Sequence, residues 1–129
     1  MGQFDTPRTD LAESETASLI AASKVNGTNV YNSAGDSLGS IHDVMIDKQS
    51  GRVAYAVMSF GGFLGIGEDY HPLPWNVLHY DEQMGGYVVN VAAERLKEGP
   101  AFAANESPDW STGYGKRVDD YYGSGQAIM

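Results

Sequence analysis

Apolar positions along this chain come in short runs separated by turn chemistry, the rhythm of strands and not of long helices. Residues 1–18 are rich in Asp, Glu, Ser and Thr. They read as a flexible lead-in with one weak helical turn at Leu11–Ser18. The pattern changes at Leu19. Val25–Tyr31, Leu38–Asp47 and Arg52–Phe60 have strand length, and Asn32-Ser33-Ala34-Gly35-Asp36 and Lys48-Gln49-Ser50-Gly51 between them are turn sequences. Tyr70–Trp75, Val77–Tyr80 and Tyr87–Val91 continue the series, with Met84-Gly85-Gly86 turning the last hairpin. Ala92–Glu98 then holds strong helix formers and stops at Gly99-Pro100. In the tail, Tyr114, Val118 and Tyr121 recur at helical spacing. This predicts a short amphipathic helix over Ser111–Tyr122 with Asp109 or Ser111 as N-cap, weakened by Gly113 and Gly115.

Six short, evenly spaced strands predict a mainly β fold: a small antiparallel β-barrel with short C-terminal helices. The chain divides into a lead-in (1–18), a barrel domain (19–98) and a tail (99–129) whose helix packs on the barrel or on a second subunit. One strand carries more apolar residues than a barrel wall needs. Along Arg52–Phe60, Val53, Tyr55 and Val57 share one face, and Ala54, Ala56, Met58 and Phe60 share the other. A barrel has a single interior, so something covers the outside of this strand. The tail helix is one candidate cover, and a poor sole one because it is short and glycine-weakened. A second copy is the other. The reading taken is a homodimer in which Ala54, Ala56, Met58 and Phe60 belong to the contact face.

Composition narrows the partners. The 129 residues carry a formal net charge of -9, which disfavours phosphate backbones and anionic lipid. There is no cysteine, hence no disulfide framework, thiolate metal site or thiol nucleophile, and a reducing cytoplasm suits the chain. The N-terminus has no basic start followed by an apolar core, so no signal peptide is expected, and no run approaches the length of a membrane span.

The stretch "SFGGFLGIGEDYHPLPW" invites a chemical reading. Its glycines, Gly61, Gly62, Gly65 and Gly67, match neither phosphate-binding spacing. Glu68 and Asp69 repel phosphate, and the prolines that follow open no helix. The loop also carries Phe63, Leu64 and Ile66. These large apolar groups either meet a partner or fold back over an open barrel end. Glu68, Asp69 and His71 could line a ligand site, and His42, Asp43 and Asp47 form a second acidic set. Neither spacing matches a zinc or calcium motif, so no metal and no cofactor are assigned. His42, His71 and His79 are dispersed, and no serine sits in a nucleophile elbow, so no catalytic residue is assigned. Trp75 reads as core or as a barrel-end plug.

The segment "VYNSAGDSLGSIHDVMIDKQSGRVAYAVMSFGGFLGIGEDYHPLPW" resembles the PRC-barrel family. The shared pattern combines the turn before "LG", "IHDVMIDKQSGRVAYAV", the "GGFLGIG" loop and the "HPLPW" strand. The tail "PDWSTGYGKRVDDYYG" is similar to that of stand-alone bacterial members, so the resemblance runs from about Leu19 to Gly123. It implies a small β-barrel. The family occurs as the cytoplasmic domain of the photosynthetic reaction-centre H subunit and as the C-terminal domain of a ribosome maturation factor. Neither the membrane helix of the first nor the RNA-side domain of the second is expected here. What carries over is the fold and the family's usual role as a docking module, with no catalytic motif. The expected function is therefore a non-catalytic docking or scaffold module that self-associates. The alternative is a small-molecule or ion-binding regulator near Glu68 and His71.

Overall fold

The structure is a computed structural model that describes residues 16, 18–60, 69–103 and 105–123. The elements run α1 (Ala22–Val25), β1 (Asn29–Asn32), β2 (Ser37–Ile46), β3 (Val53–Phe60), β4 (Asp69–Pro74), β5 (Leu78–Asp81), β6 (Gly86–Val89), α2 (Ala93–Glu98), β7 (Phe102–Ala103) and α3 (Tyr114–Tyr122). The seven strands form one sheet in the order β5-β6-β1-β2-β3-β4-β7.

Side-chain oxygens organise the hairpin turns. Asn32 Oδ1 accepts the Ala34 and Asp36 amides at 3.0 and 2.9 Å. Asp47 Oδ1 accepts the Gln49 amide at 3.0 Å, and Asp81 Oδ1 accepts Gln83 and Met84 at 2.9 and 3.2 Å. This is the local bonding that favours Asn and Asp in turns over strands. Gly51 and Gly85 complete two of these turns at φ 78° and 71°, a region other residues rarely enter.

All strand pairs but one are antiparallel. β1 runs parallel to β6, with Val30 opposite Tyr87 and Asn32 opposite Val89. The sheet is therefore mixed but mostly antiparallel, within the mainly β fold expected. Turn sequences specify which strands are hairpin neighbours, but β1 and β6 lie far apart in the chain and no local signal records their pairing. The β2–β3 pair brings its backbones close at one glycine: a Cβ on Gly39 would lie 1.9 Å from the Ser59 carbonyl oxygen. That contact explains the glycine of the "LG" pair.

The core sits on the inner face, built from Val30, Leu38, Ile41, Ala56, Met58, Leu73, Val89 and Leu96 with their neighbours. Ala56 and Met58 belong to this cluster and are fully buried. The face assigned to a second copy thus turns inward, and the outward face is Val53, Tyr55 and Val57. Both faces are apolar, so alternation alone could not say which was inside. Leu96 brings α2 onto the same core.

Candidate docking surfaces

The outer face of β3 and β4 is the first surface. Strand alternation and register place Tyr55, Val57, Pro72 and Pro74 there together. Val57, Pro72 and Pro74 are nonetheless buried, because α3 packs over the sheet on this side. Its stripe is Tyr114 and Val118, both buried, with Tyr122 one turn further on. Gly115 allows the close approach: a Cβ there would lie 2.8 Å from the Tyr55 hydroxyl. That hydroxyl is 2.9 Å from Asp119 Oδ2 and 3.2 Å from the Gly115 carbonyl oxygen. Trp110 lies between Tyr55 and Tyr114, tilted against the first and edge-on to the second, with ring centroids 5.1 and 5.0 Å away. Trp110–Thr112 forms a 3-10 turn capped by Asp109, whose carboxylate accepts the Ser111 amide and hydroxyl and is thereby held below its ordinary pKa. Gly113, at φ 89°, separates that turn from α3, so the single helix expected over Ser111–Tyr122 is two pieces.

Two hydroxyls under this helix, Tyr114 Oη and Tyr122 Oη, are buried without a hydrogen-bond partner. Burial raises the pKa of both phenols. Arg95 of α2 ties down the end of α3: its guanidinium lies 4.3 Å over the Tyr121 ring and donates to the Tyr121 carbonyl, and the Tyr121 hydroxyl donates to the Arg95 carbonyl at 2.6 Å. A cavity of about 460 Å³ flanks the helix start, lined by Phe102, Glu106, Asp109, Tyr114 and Arg117 among others. Its acids are engaged in local bonds: Glu106 accepts the Ala103 amide at 2.8 Å, and Asp109 caps the 3-10 turn.

The second surface is an open groove of about 270 Å³ beside β5. Leu19, Ile20, Trp75, Leu78, Tyr80 and Tyr87 supply its apolar wall, and Thr16 and Ser18 its polar rim. The Tyr87 ring meets Trp75 and Tyr80 edge-on at 5.3 and 5.1 Å, which fixes the aromatic wall. Leu19 remains 70% exposed and Tyr80 38%. Sequence reading missed this groove, because its residues come from segments some 60 positions apart that only the sheet order brings together. Met45 and Ile46, at 37% and 50%, form a further exposed apolar pair at the end of β2.

The residues singled out in the sequence scatter. Phe63, Leu64, Ile66 and Glu68 lie outside the described residues. Asp69 is exposed at the start of β4. His71 is inside, only 3% exposed, opposite Met58 and edge-on to Phe60 at 5.2 Å. Its Nδ1 has no partner. Burial lowers the pKa of its imidazole, against weaker opposing effects from the Asp69 carboxylate and a hydrogen bond to the Leu96 backbone. His42 stacks on Tyr70 at 4.2 Å, away from Asp47 in the turn after β2. Among the described residues no group of three or more His, Asp or Glu is placed to hold a metal ion. No helix among them is long and apolar enough to cross a membrane.

Comparison with known proteins gives one result. The family model described as the PRC-barrel domain matches residues 18–96, from the groove rim into α2. No curated protein matches the chain.

Proposed function

The chain belongs to the PRC-barrel domain family, and from that premise we propose that it is a non-catalytic docking module that holds a partner protein and self-associates as a homodimer. The observation that carries this reading is the groove of Leu19, Ile20, Trp75, Leu78, Tyr80 and Tyr87. Among the described residues it exposes Leu19 and Tyr80, with Ile20 and Trp75 half-buried beside the core residues Leu78 and Tyr87. Contiguous exposed apolar groups with rigid aromatic walls are the composition of protein contact sites, where Trp and Tyr contribute most of the binding energy. The acidic surface favours a basic partner over nucleic acid. The absence of cysteine suits a cytoplasmic setting.

The test is a comparative capture from the source cells with the full chain and a Leu19→Glu variant. Leu19 is exposed, so the substitution leaves the core intact while charging the groove rim. The expected result is a protein retained by the wild type and lost with the variant. Identical sets retained by both would refute the groove as the contact site.

A second reading, a ligand or ion site near Glu68 and His71, has one observation in its favour: the unpartnered Nδ1 of His71. Calorimetric titration with zinc, comparing wild type and His71→Gln, tests it. Binding lost with the substitution supports that reading, and no heat with either protein rejects zinc as the ligand.

A further inference from the structure

We infer that β5 is the strand through which this chain self-associates: a second copy pairs with its outer edge, antiparallel about a two-fold axis, with Tyr80 opposite Tyr80 of the partner subunit. This rests on the reading of the chain as a homodimer and adds the surface, the register and the residues that meet.

The sheet has two edges, and they differ. The β7 edge is blunted. β7 is two residues long, and further along β4 Pro72 and Pro74 lack the N–H that an added strand would bond. β5 ends the other side, with β6 as its one strand neighbour among the described residues. Its pairs with β6 run in unbroken register, from Leu78 opposite Val89 to Asp81 opposite Gly86. No proline, lysine or bulge interrupts it. Alternate residues of an antiparallel strand turn their N–H and C=O groups away from the neighbour already paired, so the outer edge of β5 is a template for one more strand. Apolar surface lies beside that edge, with Tyr80 38% exposed and Leu19 70% exposed along the same groove.

A second copy suits this edge because the strand is self-complementary. Alternation puts His79 and Asp81 on one face and Leu78 and Tyr80 on the other. Antiparallel pairing centred on Tyr80 sets His79 opposite Asp81 of the partner subunit, and symmetry repeats the contact with the partner's His79. An imidazole can donate to a carboxylate whether or not it is charged. Asp81 Oδ1 serves its own turn by accepting the Gln83 and Met84 amides, which leaves Oδ2 as the acceptor across the axis. On the other face the two Tyr80 rings form a cross-strand aromatic pair. Centring the pairing on His79 instead would set the two imidazoles against each other and place each Asp81 opposite an apolar Val77. Charge matching therefore selects the Tyr80 register. Because Tyr80 also lines the groove, this pairing brings the two grooves together across the axis.

The chain has no cysteine, so Tyr80→Cys introduces a single thiol. Directly opposed residues of antiparallel strands have Cα atoms about 4.5–5.5 Å apart, within the span a disulfide bridges. Under mild oxidation Tyr80→Cys should give a disulfide-linked two-chain species. Met45→Cys, exposed at the end of β2, sets the rate expected from random collision. The second arm is light scattering of His79→Glu. His79 is exposed, so this substitution leaves the core intact while setting a carboxylate against Asp81 of the partner subunit. With two such pairs in each dimer, the dissociation constant should rise about tenfold over wild type. If Tyr80→Cys does not fold, His79→Glu decides alone. With the wild type at a two-chain mass, either of two results overturns the pairing: a folded Tyr80→Cys that cross-links no faster than Met45→Cys, or unchanged association of His79→Glu. The homodimer then uses another surface, and this edge is left to a strand of a different protein. If the wild type has a one-chain mass at every concentration, the pairing and the homodimer both fall.

Discussion

Acidification should destabilise this protein through one imidazole. His71 is buried between β4 and α2, and its burial lowers its pKa from the ordinary 6.5. In the unfolded chain the same group returns to the ordinary value. Between the two pKa values the unfolded state therefore holds more protons than the folded one, and stability falls as pH falls. The His71 contribution is complete above pH 6.5, is lost through the window below it, and levels off once pH passes the folded pKa. One proton per chain limits the slope to about 1.4 kcal/mol per pH unit within that window. A protonated His71 would also carry an Nδ1 donor with no acceptor beside it. The assay is urea unfolding followed by the fluorescence of Trp75 and Trp110 from about pH 8 to about pH 5, above the range where most carboxylates titrate. The reference is His71→Gln, whose amide can still donate toward the Leu96 backbone but does not titrate. Subtracting the two curves isolates the imidazole. The expected difference is a stability loss confined to the wild type and beginning near pH 6.5. Equal pH dependence in both proteins would refute the argument, as would an NMR titration showing His71 protonated at neutral pH.

Other outcomes follow from single contacts. Gly39→Ala places a methyl 1.9 Å from a backbone oxygen and should cost at least about 3 kcal/mol or prevent folding, as read by thermal unfolding. Val118→Ala removes two buried carbons at the α3–sheet layer and should cost about 1–2 kcal/mol in urea unfolding, whereas a neutral result would mean the helix does not rest there. Gel-shift assays with RNA and duplex DNA at physiological salt should show no binding, given the charge of -9, and tight, salt-sensitive binding would contradict this.

Much of the fold was legible because local chemistry specifies it. Asn32, Asp47 and Asp81 fix their own turns by side-chain bonds, so the hairpins and their strands could be read within a few residues. The helix expected over Ala92–Glu98 appears as Ala93–Glu98. Non-local facts were not legible. Nothing near Val30 announces Tyr87 as its parallel partner, and β7 is a two-residue strand that exists only by pairing with Asp69 and Tyr70. The four-residue α1 took the start of an expected strand. The two apolar faces of Arg52–Phe60 correctly signalled a cover, and the tail helix supplies it within the chain. The assignment of inside and outside was reversed because Ala-Met-Phe and Val-Tyr-Val stripes are equally apolar. The groove beside β5 was hidden for a different reason: Leu19 and Ile20 meet Trp75, Tyr80 and Tyr87 only after the sheet order is known.

The claim that this chain is a self-associating docking module is tested most directly by light scattering of the 129-residue chain across a range of concentrations at moderate salt. The account predicts a mass of twice 13.9 kDa that falls toward one chain on dilution. A single-chain mass of 13.9 kDa at every concentration would contradict it.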